Sequence, residues 1–316
     1  MLSIKKSNLL LFSITALGFF ISYLLSPYHY GGDQAHYTRV YDDIFGLDLL
    51  AANIAYISII DSKEIIHFIV IWIGSNLGIS KLLLMSAANA LLYFLLMKLF
   101  LSMRVSGLVA LFVILTNYYI FTLFFTLEKL KFAIIFILIA ILMMRKGKFY
   151  SGYLFASVLS HFQALIFPIS FFAASIASRS GVKISKSIYV LFFYLLSLSF
   201  FVSIGYFFRD QILSKFSYYA TGSVYESVEN VIRAIFFMIL TLIMSKNRKQ
   251  TYFLFAPLIV MIAFVGGDRL NMIAYFFFLF YALQYHAGVS YILLLTSLYM
   301  LIKSILYIYG FYLSGG

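Results

Sequence analysis

Apolar runs separated by short polar breaks recur along the whole chain. Windows long enough to cross a bilayer fall at about 7–26, 81–100, 105–125, 129–144, 187–208, 230–245, 251–267, 269–286 and 290–312, since roughly 18 or more consecutive apolar residues read as a membrane helix. The first, Leu9–Leu25 behind Lys5 and Lys6, has the outline of a signal peptide. No small-residue cleavage site follows it, so it is expected to stay as a helix. Two stretches resist this reading. Residues 49–79 carry Asp61-Ser62-Lys63-Glu64 in their middle, and residues 150–176 carry Ser160-His161-Phe162-Gln163 and Pro168. The pattern predicts an all-α, polytopic integral membrane protein with about 10–12 hydrophobic segments. It forms one domain over residues 1–316, with interfacial or re-entrant helices at 49–79 and 150–176.

Charge orders the segments. Basic clusters occur at Lys5/Lys6, Lys98/Arg104, Arg145/Lys146/Lys148, Arg179/Lys183/Lys186 and Lys246/Arg248/Lys249. The positive-inside rule assigns all five to the cytoplasm. That accounts for the net charge of +12 without nucleic acid. The loop at 28–43 then lies outside, and 49–79 must begin and end outside. It is expected to form interfacial helices or a hairpin that does not cross. Residues 150–176 lie between two cytoplasmic clusters, and a helix of that length rises about 40 Å, enough for one crossing but not two. The rule fails there, or the segment breaks at 160–163 and turns back, which is tolerated only against protein or water. All eleven acids then fall on or near the outer face. With 64% hydrophobic and 11% charged residues the chain is no soluble domain, and the absence of cysteine excludes disulfides and thiolate metal sites. No metal-ligand spacing, phosphate loop or nucleotide fingerprint occurs, so a nucleotide-sugar enzyme working on the cytoplasmic side is not supported.

Four polar constellations carry candidate chemistry. In the first, Gly31-Gly32-Asp33-Gln34-Ala35-His36-Tyr37, Asp33 and Tyr37 share a helix face. Asp33 is either a carboxylate at a cavity mouth, a base or sugar ligand, or the N-cap of a helix over 34–45. Arg39, in the same segment, is a further candidate substrate contact. The second is Thr126-Leu127-Glu128-Lys129-Leu130-Lys131. Two lysines at an outer helix start oppose the helix dipole, and an anion would relieve this. Alternatively the lysines snorkel, with Glu128 neutralising one. The third is Gly266-Gly267-Asp268-Arg269. Arg269 suits phosphate recognition, or Asp268 and Arg269 form an interface anchor. The fourth, His161 with Gln163, lies in an apolar stretch, where a polar group needs a partner. It orients substrate, exchanges protons, or makes a helix-to-helix hydrogen bond. Arg233 has Glu229 and Glu226 nearby in sequence, and Lys303 has no evident partner. The 26 tyrosines suit an interfacial belt and, at a site, sugar stacking.

Taken in order, four motifs resemble the EpsG-like branch of Wzy-type O-antigen and capsule polymerases. They are Gly32-Asp33-Gln34-Ala35-His36-Tyr37, Lys129-Leu130-Lys131-Phe132-Ala133, the basic turn Arg145-Lys146-Gly147-Lys148 followed by His161-Phe162-Gln163-Ala164-Leu165, and Arg269 ahead of Tyr275-Phe276. Gln34 stands where that family has an aromatic residue, and Lys129 stands where it has arginine. The lysine keeps anion binding and gives up bidentate geometry.

The resemblance implies a GT-C-like glycosyltransferase of the bacterial inner membrane, N-terminus cytoplasmic, with a periplasmic active site. It would join undecaprenyl-pyrophosphate-linked oligosaccharides, the lipid pyrophosphate leaving, without metal or nucleotide sugar. A chain-length regulator and a flippase are the implied partners beside the bilayer. Asp33 and then His161 are the expected catalytic groups. Lys129, Lys131, Arg269, Tyr37, Arg39, Glu128, Gln163 and Asp268 are the expected substrate contacts. A flippase for the same lipid-linked glycans, an O-antigen ligase or a membrane acyltransferase are the rival readings.

Overall fold

The computed structural model describes residues 4–179, 224–265 and 267–315, and the expected span 187–208 lies outside them. Every regular element among the described residues is helical. They group into two compact units, Met1–Leu165 with Ala282–Gly316, and Ile166–Tyr281.

The first unit is built on long rods. They are α1 (Ile4–Leu25), α5 (Lys81–Ser102), the broken pair α6 (Gly107–Thr116) and α7 (Tyr118–Phe125), α8 (Glu128–Arg145) and α14 (Tyr291–Ser314). Between α1 and α5 lie the short helices α2 (Asp33–Asp43), α3 (Leu49–Ile60) and α4 (Ile65–Asn76); α9 (Ser151–Ser160) follows α8.

Side-chain contacts fix the directions of the rods. α1 packs antiparallel on α5: the Asn89 amide donates to Ser22 Oγ at 2.7 Å, while a Cβ on Gly18 would come within 2.6 Å of the Tyr93 ring. α5 and α8 run parallel. Lys81 meets Glu128 at their starts, and Arg145 donates to the Ser102 carbonyl at their ends, 2.8 Å. The start of α1, the end of α5 with Arg104, and the end of α8 with Arg145 therefore share one end of the unit. The acids Asp33, Asp42, Asp43, Asp48, Asp61, Glu64 and Glu128 belong to the other end or to the short helices packed there. This is the charge separation that the basic clusters predict for these residues.

The span expected at 105–125 is broken. Asn117 ends α6 and caps α7 by accepting from the Tyr119 and Ile120 amides, with a 58° bend between the two helices. Ser304 of α14 donates to the freed Thr116 carbonyl at 3.1 Å, so the backbone group left by the break is satisfied inside the protein. Lys303 finds its partner at the same level, its ammonium 4.9 Å from the Tyr118 ring centroid.

Residues 49–79 form a hairpin of two short helices. α3 and α4 have 12 residues each, about 18 Å of rise against a core of about 30 Å. Asp48 caps α3, Asp61 ends it in the left-handed region at φ 48°, and Ser62–Glu64 form the tip. The far ends of the hairpin are tied to α2. Ser75 donates to the Tyr41 carbonyl, Trp72 to the Leu47 carbonyl, and the Tyr41 hydroxyl to the Ile79 carbonyl. The polar segment at 28–43 thus folds over the starts of α5 and α8. The 150–176 segment breaks where expected: α9 ends at His161, which is extended (φ −160°, ψ 123°).

The second unit holds α10 (Ile166–Arg179), α11 (Val224–Met244), α12 (Arg248–Val265) and α13 (Asp268–Gln284). α12 packs against both α10 and α11. Asn271 of α13 donates to Asn230 of α11 at 2.7 Å, and Arg233 pairs with Glu229 one turn before it.

Three described helices are long and apolar enough to cross a membrane, in α1, α5 and α14, or four if α6 and α7 make one span. α8 and α13 form where spans are expected, but α8 carries Glu128, Lys129, Lys131 and Arg145 within 18 residues, and α13 has only 17 residues.

Candidate functional site

Two buried carboxylates organise the acidic end of the first unit. Glu64, at the hairpin tip, faces His161 Nδ1 at 2.9 Å and accepts from Lys129 Nζ at 3.2 Å. Lys129 also donates to Ser62 Oγ at 3.2 Å. The other imidazole nitrogen of His161 lies 3.2 Å from the Gln163 amide oxygen. With acceptors facing both nitrogens, this arrangement suits the doubly protonated, cationic ring. Burial alone would raise the Glu64 pKa, but the His161 hydrogen bond and the Lys129 charge outweigh it and hold the carboxyl down at about 2.

Glu128, in the first turn of α8, accepts from Lys81 Nζ at 3.0 Å and faces His67 Nε2 at 3.7 Å. His67 Nδ1 pairs with the Tyr56 hydroxyl at 3.0 Å, and its ring packs between Tyr37 and Phe132. Lys81 also donates to Gln34 Oε1 at 3.0 Å and Thr38 Oγ1 at 3.1 Å, and it sits 5.7 Å from the Tyr37 ring centroid. Each acid therefore holds one histidine and one lysine. The acids are 3% exposed and the lysines 13–15% exposed, so the cations lie on the open side of each group.

The expected residues divide. Glu128, Lys129, His161, Gln163 and Tyr37 are brought into these two groups. Lys131 is fully buried, and its ammonium donates to the Phe124 carbonyl at 3.0 Å. It caps the end of α7, a bond that a lysine near a helix C-terminus readily makes. Asp33 is exposed in the first turn of α2, and the N-cap is Gly32 at φ 54°. The capping reading of Asp33 is thereby replaced. Arg39 pairs with Asp43 one turn on, both well exposed. Arg269 begins α13 in the second unit, and the Asp268 side chain lies outside the described residues. The sequence reading missed Lys81, His67, Tyr56 and the part played by Glu64. Lone ionisable residues at the edges of apolar helices were the available signal. Among the described residues, no three acid or histidine side chains converge to hold a metal ion.

No protein-family model matches the chain, and no curated protein sequence or solved structure matches it either.

Proposed function

We propose that this chain is a membrane glycosyltransferase of the bacterial inner membrane. On a polytopic, GT-C-like scaffold it polymerises undecaprenyl-pyrophosphate-linked oligosaccharide repeat units at the periplasmic face. One observation carries the reading: paired acid–histidine–lysine groups buried at the end of the helical unit opposite its basic turns. Buried charge of this kind in apolar surroundings marks a site and not a surface.

The chemistry follows from the groups. The acceptor hydroxyl oxygen attacks the anomeric carbon of the donor glycan. The bond from that carbon to the lipid pyrophosphate breaks, and the bonding pair leaves with the phosphate oxygen. Lys129 and protonated His161, held in place by Glu64, meet the charge that develops there. Asp33, at the open edge beside Gln34, takes the acceptor proton. Arg269 remains a candidate second phosphate ligand.

Orientation is checked by single cysteines in this cysteine-free chain. A cysteine at position 36 is expected to react with an impermeant outer reagent, and one at 147 is not. Labelling at 147 in intact cells reverses the orientation. Function is read from the product ladder. Deleting the chain leaves single repeat units on lipid A, whereas loss of a ligase leaves none. Lys129→Ala gives the single-unit pattern with protein still in the membrane, through a rate loss of about 10²–10³. A normal ladder from Lys129→Ala places the phosphate elsewhere.

A further inference from the structure

One ammonium ties three helices together at the acidic end. Lys81, the first residue of α5, donates to Gln34 Oε1 at 3.0 Å and to Thr38 Oγ1 at 3.1 Å, both on α2. It pairs with Glu128 Oε1 of α8 at 3.0 Å. An ammonium has three N–H groups, and three protein oxygens stand around this one. The Tyr37 ring lies on a further side, its centroid 5.7 Å from the nitrogen. Lys129 differs. Among the described residues its ammonium meets two oxygens, Ser62 Oγ and Glu64 Oε2, which leaves an N–H for a phosphate. Lys81 is therefore a tie and not a ligand contact.

The tie joins the immediate neighbours of two groups assigned to the reaction. Gln34 follows Asp33, and Glu128 precedes Lys129. Consecutive Cα atoms are about 3.8 Å apart, and each pair of neighbours lies in the first turn of one helix. The position of the ammonium thus sets where the first turn of α2 stands relative to the first turn of α8. Gln34 and Glu128 are both buried, where charge interactions are stronger than in water. The later part of α2 has anchors of its own, Ser75 on the Tyr41 carbonyl and the Tyr41 hydroxyl on the Ile79 carbonyl. Glu128 also faces His67 Nε2 at 3.7 Å and lies in the field of Lys131. Removing Lys81 therefore loosens the start of α2 without stranding the carboxylate or detaching the helix.

We infer that Lys81 is a positioning residue for polymerisation. It holds the helix of Asp33, the proton acceptor, in register with Lys129, the phosphate contact, and itself touches no substrate. The inference rests on the polymerase reading and deepens it.

The test compares wild type, Lys81→Met, Asp33→Asn and the double variant in liposomes supplied with lipid-linked repeat units. Binding of bare undecaprenyl pyrophosphate is the second readout. Lys81→Met is expected to lower kcat about 10–100-fold, the scale of a misplacement near 1 Å. It leaves KM within about twofold and binds the bare lipid as wild type does, which also shows that it is folded. Because Lys81 acts through Asp33, the double variant is no slower than Asp33→Asn alone. Full kcat in Lys81→Met, losses that multiply in the double variant, or an unchanged rate in Asp33→Asn would each overturn the positioning role while the polymerase reading stands. If Lys81→Met loses bare-lipid binding, Gln34→Leu decides, since it keeps the pair of Lys81 with Glu128. A kcat about tenfold lower with bare-lipid binding intact supports the role, and full kcat or lost binding overturns it. If wild type makes no polymer from these units, the polymerase reading fails and the positioning role with it.

Discussion

Glu64→Ala is expected to destabilise the protein by about 3–5 kcal/mol, because it leaves the Lys129 and His161 charges buried without their acid. The effect should exceed that of any exposed substitution in α2, where Arg39 and Asp43 make a solvent-screened pair. Polymer is lost in the same variant, since both groups assigned to the leaving phosphate lose their positions. Glu64→Gln keeps the shape and part of the hydrogen bonding but removes the charge. It separates the two losses by retaining more stability than activity.

A pH dependence follows from the same carboxylate. Its folded pKa, about 2, lies below the ordinary 4.5. A depressed acid contributes stability that is fully present above the unfolded pKa and is lost as pH falls through the folded one. Thermal unfolding of the detergent-solubilised protein should therefore weaken progressively from about pH 4.5 down to about 2 in wild type. Glu64→Gln should lack that part of the slope. Identical acid profiles for the two proteins would remove the buried ion pair from the account.

Asp33→Asn carries the other large expected effect, a fall of roughly 10²–10⁴ in polymerisation rate with insertion and folding intact. The structure sharpens this expectation, because Gly32 and not Asp33 occupies the cap position of α2. Asparagine keeps the size of the side chain and caps a helix as well as aspartate does. The variant should make single-repeat product only. Full-length polymer from it would take Asp33 out of the proton transfer and leave His161, or positioning without a base, to be pursued.

The fold was legible wherever composition changes sharply along the chain. Asp61–Glu64 marks the hairpin tip, Ser160–Gln163 marks the end of α9, and the basic turns mark one end of the first unit. Each of these is a local signal. The break at Asn117 was not legible, because 105–125 is uniformly apolar on both sides of it and only the cap and the Ser304 bond reveal the bend. The part played by Lys131 was hidden for another reason: a helix end near 125 was expected, but nothing in the sequence shows that the lysine turns back to the Phe124 carbonyl, and the residue read as an anion ligand.

The candidate site was half legible for a related reason. Glu128, Lys129, His161 and Gln163 stand out as polar residues beside apolar runs. Their partners Glu64, Lys81 and His67 lie up to 97 positions away in the chain, and pairing over that distance is set by helix packing, which no short motif records.

The most direct test uses purified protein in liposomes supplied with lipid-linked repeat units and no nucleotide sugar. The account predicts a ladder of lipid-linked oligomers, with one undecaprenyl pyrophosphate released for each new glycosidic bond. Repeat units that cross the bilayer unchanged, or that remain single while the protein is folded and inserted, would contradict it.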